Sequence, residues 1–192
     1  MRYSVEHKEL TRKKILDAAA NRFRAQGYDG LGIDALAKAA GVTNGAFYGH
    51  FASKAEAFRQ VADDGLRELA DGVREFQAKG GAEWLGDFAR FYLSDHKLDC
   101  TEALCAVPAF GPEAVRAPDA TRAAFATGLA EVVEAMTHGL PQLPVAERTV
   151  RAWAMLATLA GGVTVLRLVP EGTARAPVVD ALVRSVLALA QP

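Results

Sequence analysis

Ala39-Ala40-Gly41-Val42-Thr43-Asn44-Gly45-Ala46-Phe47-Tyr48-Gly49-His50-Phe51 decides how the amino-terminal part of the chain folds. Two alanines and a glycine leave a turn without bulk, so the helices on either side of it can cross closely. Gly41 supplies a left-handed stop for the helix before it, and Thr43 offers a hydroxyl to cap the helix after it. Phe47 and Phe51 lie four residues apart and point together into a small core. Asn44, Gly45, Ala46, Tyr48 and His50 are left to the other sides of the same short helix.

Working outward, Ile15, Leu16, Ala19 and Phe23 recur at helical spacing and predict a helix over residues 8–26, ended by Gly27. Ile33, Leu36, Ala37 and Ala40 predict a second, short helix over residues 33–40. Downstream, Ser53-Lys54-Ala55-Glu56 reads as a capping box, in which the serine hydroxyl takes the Glu56 N–H and the carboxylate reaches back to the serine N–H. The helix it opens runs to about residue 79, where Gly80-Gly81 breaks it. Trp84, Phe88, Phe91 and Tyr92 stripe a fifth helix that ends near residues 94–97. Residues 99–118 hold Pro108, Gly111, Pro112 and Pro118 and read as short helices and turns. Helical period returns over residues 119–138, 145–169 and 177–190. The expectation is an all-α fold of about nine helices, with a three-helix helix-turn-helix domain over residues 1–52 and a helical body over residues 53–192.

Charge divides along the same line. Residues 1–60 hold ten Lys and Arg against six Asp and Glu, and residues 61–192 hold twelve against seventeen, although the whole chain carries a net charge of only −1. A basic module on an acidic body is the asymmetry expected when one end meets phosphate. No uninterrupted apolar run reaches the length of a membrane span, and the first eight residues lack the apolar core of a signal peptide, so no membrane association and a cytoplasmic location are expected. Cys100 and Cys105, if on one helix, would stand about 7.5–8.5 Å apart, too far for a disulfide.

The amino-terminal residues resemble the TetR/AcrR family of bacterial one-component transcriptional regulators. The resemblance rests on Ile15-Leu16-Asp17-Ala18-Ala19, Phe23, Gly27-Tyr28, Leu36-Ala37, Ala40-Gly41-Val42-Thr43, Gly45, Phe47-Tyr48, His50-Phe51 and Ser53-Lys54, spread over residues 8–58. It implies a homodimer that binds a palindromic double-stranded DNA operator and is released from it by a small-molecule effector. Thr43 would turn its helix end toward a phosphate. Asn44 would read an adenine edge, and Gly45 and Ala46 would permit close approach and leave room for a thymine methyl. Tyr48, His50 and Lys54 would contact phosphates, and Arg12, Lys13 and Lys14 either flank DNA or face water. One departure stands out: Gly32 occupies the start of the second helix, where the family usually carries a serine or threonine, so no side-chain hydroxyl is available there.

Beyond residue 60 the resemblance is one of architecture. Trp84, Phe88, Phe91, Tyr92, Phe110, Phe125 and Trp153 are the candidate lining of a pocket for an apolar or aromatic effector. Ala154, Ala157, Ala160, Gly161 and Gly162, with Val178, Leu182, Val186 and Leu189, are the candidate dimer face. A constitutive DNA-binding protein without effector and a helical enzyme are the alternatives. Against the enzyme, Ser94-Asp95-His96 are chain neighbours and cannot converge as a triad, and Cys100, Cys105, His96 and His138 lack zinc spacing. No catalytic residue, cofactor or metal is expected. Cys105, within an apolar run, reads as core rather than as a redox sensor.

Overall fold

Helix boundaries follow the punctuation of the sequence closely. The structure is a computed structural model and describes residues 5–192. Ten α-helices and two 3-10 turns make up the secondary structure of these residues, which include no strand. They are α1 (Val5–Gln26), α2 (Ile33–Ala39), α3 (Asn44–Tyr48), α4 (Lys54–Gly80), α5 (Trp84–Tyr92), α6 (Asp95–Asp99), α7 (Ala106–Arg116), α8 (Asp119–His138), α9 (Val145–Leu166) and α10 (Ala176–Leu189). Gly27 and Gly41 stop α1 and α2 with φ of 73° and 67°, in the left-handed region that favours glycine.

The caps form largely as expected. Thr43 Oγ1 accepts from the Ala46 N–H at 3.2 Å, and Ser53 Oγ accepts from the Glu56 N–H at 3.1 Å. The reciprocal half of the capping box is shifted by one residue, because Glu56 Oε2 accepts from the N–H of Ala52 at 2.7 Å rather than from that of Ser53. The carboxylate still satisfies a backbone donor at the helix entrance.

Two stretches differ from expectation. The fifth helix stops at Tyr92, and a one-turn helix, α6, follows after Ser94, adding one to the expected nine. The Pro-rich segment folds mostly into α7, eleven residues long. Pro108 sits in the first turn, where no N–H is needed, so only Pro112 removes an internal hydrogen bond. Burial of Ala106, Phe110 and Ala114 on one side of α7 offsets that loss.

The long helix α4 is the spine. It packs against α1 on one side and against α5, α7 and α8 on the others, while α9 joins α8 to α10. Gly128 of α8 lets α4 approach so closely that a Cβ there would lie 2.7 Å from Leu66 Cδ1. At the far edge, Arg175 is buried and donates to Asp99 Oδ2 at 2.8 Å and to Asp95 Oδ1 at 3.3 Å. These bonds, led by that to Asp99, raise the guanidinium pKa further and fix α6 against the α9–α10 connection. Helix α9 has the length and apolar composition that a membrane crossing would need, yet it packs here against α8 and α10.

Candidate nucleic-acid interface

The base of the interface is a core formed by α1, α2 and α3, in which Ile15, Ala19, Phe23, Leu36, Ala37, Phe47 and Phe51 are all buried. This core turns the opposite side of α3 outward. Thr43, Asn44, Gly45 and Tyr48 are exposed, and Ala46 and His50 are half-buried. Six of the seven predicted contact residues therefore lie on or beside one short helix.

Asn44 Nδ2 donates one N–H to Asp34 Oδ1 on α2, a bond the sequence did not suggest. An amide has two such donors, so its second N–H and its oxygen stay available to an adenine edge while Asp34 sets the plane of the group. At Gly45 an added Cβ would meet nothing closer than Thr43 Oγ1 at 3.9 Å. The fold itself therefore does not require this glycine, which suits a face kept low for close approach. Gly32 caps α2 through its backbone alone and has open space where a side chain would be.

The basic residues around α3 have more partners than the sequence indicated. Lys54 Nζ donates to the carbonyls of Tyr28 and Leu31, both at 2.9 Å, and lies 4.0 Å from the centre of the Tyr28 ring. It is thus a tie between α4 and the α1–α2 connection, with one N–H left over. Arg12 lies 4.8 Å over the Phe51 ring and donates to Gln60, while Lys13 is paired with Asp17 and Lys14 faces water. His50 Nδ1 is buried without a hydrogen-bond partner, and desolvation, with Lys8 and Arg12 nearby, lowers its pKa and keeps the ring neutral near pH 7.

The predicted effector residues do not converge. Phe88, Phe91 and Tyr92 line one cavity of about 130 Å³ between α1, α4, α5, α7 and the turn before α7. Trp84 borders a separate shallow groove and donates from Nε1 to Gly139 O at 3.1 Å. Phe110 has no exposed surface, its ring filling the space against Phe58 and beneath Arg24, and Phe125 is buried. Trp153 is 42% exposed on the outer side of α9. These four are core or surface groups, because helical spacing places residues on a face without saying which face meets a void.

What sequence reasoning missed at the cavity are its polar groups. Arg24 and Lys97 stand at its wall with Glu68, Glu102 and Cys105. Arg24 Nε donates to Leu104 O at 2.9 Å, and burial pulls its guanidinium below its ordinary pKa. Cys105 is half-buried because the cavity reaches it, and burial pushes its thiol up, outweighing Tyr92, Lys97 and Arg24. Cys100 and Cys105 flank a 3-10 turn, and both are free thiols. Among the described residues, no cluster of three potential metal ligands occurs.

A buried three-helix core with one polar, low-relief helix turned outward, set on a helical body, is the arrangement of a helix-turn-helix DNA-binding protein. Residues 15–61 match the family model of bacterial regulatory proteins of the tetR family. The HTH-type transcriptional regulator AcrR of Shigella flexneri is 36% identical over 78 residues, which are 41% of this chain and 36% of that protein. The HTH-type transcriptional regulator SrpR of Pseudomonas putida is 47% identical over 53 residues, 28% of this chain and 25% of that one. The matched stretches thus span about a third or less of the length of these relatives. The crystal structure of a TetR-family transcriptional regulator from Agrobacterium tumefaciens superposes with a TM-score of 0.77 at 17% identity, covering 94% of this chain and 97% of that one, a likeness of fold. The resemblance in sequence is confined to the amino-terminal module, residues 15–61, which matches that of the tetR family.

Proposed function

We propose that this protein is a sequence-specific DNA-binding regulator of transcription, a cytoplasmic homodimer that holds an inverted-repeat operator through two copies of α3 and leaves it when a small molecule enters the helical body. The observation that carries this reading is the face of α3: Asn44, Gly45 and Tyr48 are exposed together, while Phe47 on the opposite side anchors the helix. Residues 1–52 form the reading unit, and residues 53–192 form the sensing and pairing unit. Arg24 supports a connection between the two, since it leaves α1 and ends in the cavity wall at Leu104.

For the dimer, the outer side of α9 with the turn that follows it offers Val150, Trp153, Ala157, Gly161, Val165 and Leu168 as an exposed stripe. This differs in part from the expected face. Gly162 and Val186 are buried within the chain, and a Cβ on Gly162 would lie 2.8 Å from Leu182 Cδ1. Those residues join α9 to α10, and the stripe beside them is what remains for a second copy.

The test is site selection on random duplex DNA, followed by two substitutions. The selected site should be an inverted repeat, with half-sites about one helical turn or somewhat more apart. Asn44→Ala is expected to cost about 1–3 kcal/mol and to relax preference at one base position per half-site. Lys54→Ala is expected to weaken binding to all sequences and to flatten the salt slope by about one. It should also lower thermal stability, because two carbonyls lose their donor. A selected site without symmetry, or equal effects of Asn44→Ala on specific and random DNA, overturns the reading.

A further inference from the structure

The cavity beside α5 contains an unmet chemical demand. Tyr92 is 4% exposed and lines it, yet its hydroxyl is buried without a hydrogen-bond partner. The Cys105 thiol is its polar neighbour, a weak partner that acts on the phenol without giving it a well-formed hydrogen bond. A buried hydroxyl left unpaired is costly, and natural proteins keep few of them. From the effector reading above, on which this inference rests, we propose that the cavity takes a neutral, single-ring aromatic compound whose one hydroxyl or carbonyl oxygen pairs with the Tyr92 hydroxyl.

The sheltered part of the cavity has room for one ring. The cavity holds about 130 Å³, and an engineered apolar cavity of about 150 Å³ accommodates benzene. Its apolar wall is aromatic, with the Phe76 ring centre 5.6 Å from that of Phe88 and 5.4 Å from that of Phe91, so ring edges and faces are both presented to an occupant.

Charge selects a neutral compound. Arg24 and Lys97 are matched by Glu68 and Glu102, so an anion would meet two carboxylates and a cation two positive groups. The two cations are also occupied: Arg24 donates to Leu104 O, and Lys97 lies 5.0 Å over the outer ring, Phe91. The phenol is the one unpaired hydrogen-bonding group among the described wall residues that is nine-tenths buried.

Calorimetric titration of the full chain with p-cresol, toluene and benzoate tests this. Wild type should bind one p-cresol per chain and should bind benzoate more weakly. Tyr92→Phe should weaken p-cresol about tenfold, the worth of one hydrogen bond, and leave toluene unchanged or tighter. Gly72→Leu should weaken binding of both, because Gly72 lines the cavity and has open space for a Cβ. Benzoate binding more tightly than p-cresol, equal loss of p-cresol and toluene in Tyr92→Phe, or no binding of any compound overturns the proposal. Operator release is measured separately: p-cresol that binds without releasing DNA supports the ligand class and overturns the release reading alone.

Discussion

Replacing Phe47 by alanine is expected to remove about 3–5 kcal/mol of unfolding free energy, the usual cost of emptying a buried phenylalanine site, and to abolish operator binding with it. Helix α3 is five residues long and contains a glycine, so it has almost no stability of its own. Two things hold it: the Thr43 cap and the Phe47 ring, which is fully buried 5.6 Å from the Phe51 ring. Without the ring, the exposed residues of α3 lose the base from which they project. Helix α4 and the body do not depend on this contact, so helicity by circular dichroism should fall little while DNA affinity is lost. Chemical denaturation and fluorescence anisotropy with a labelled operator would measure the two effects. An alanine variant that kept wild-type affinity would show that α3 is held by something else.

A change of similar size is expected at Phe58, with a different signature. Its ring is 2% exposed and stands at a junction, 5.3 Å from Phe23 and 5.1 Å from Tyr28 on one side and 5.7 Å from Phe110 of α7 on the other. Phe58→Ala should therefore also cost about 3–5 kcal/mol. Because the lost contacts join the helix-turn-helix core to the body, cooperativity between the two should fall as well. Scanning calorimetry is expected to split one transition into two, or to broaden it, where Phe47→Ala lowers the stability of one part. A single sharp transition at the wild-type temperature would contradict this. Lys54 and Arg24 cross the same boundary through backbone carbonyls, so some coupling should survive.

The contrast between what was legible in the sequence and what was not follows the range of the interactions. Thr43, Ser53, Gly27 and Gly41 could be read because their partners lie within a few residues, and the period of Ile15, Ala19 and Phe23 marks a buried face wherever the neighbours come from. The polar wall of the cavity could not. Arg24 meets Leu104 across 80 residues of chain, and no local pattern marks that meeting. Lys54 was read as a phosphate contact, and its ties to the fold went unseen because its acceptors are main-chain oxygens, which every residue carries and none advertises. Residues 99–118 were read as short helices and turns from their prolines, but Pro108 falls in a first turn, where its missing N–H costs nothing, and an eleven-residue helix forms. Trp153 shows the converse error, since its size suggested a pocket and its position on α9 places it on the outer surface.

The open space at Gly45 has a consequence for how such a protein changes. Asn44, Gly45 and Tyr48 are exposed, and the weight of the fold rests on Phe47, Phe51 and the Thr43 cap. A side chain can be added at Gly45 without disturbing the scaffold, since a Cβ there meets nothing closer than Thr43 Oγ1 at 3.9 Å. On the reading proposed above, the surface that meets DNA can therefore change at this position independently of the core that holds it out.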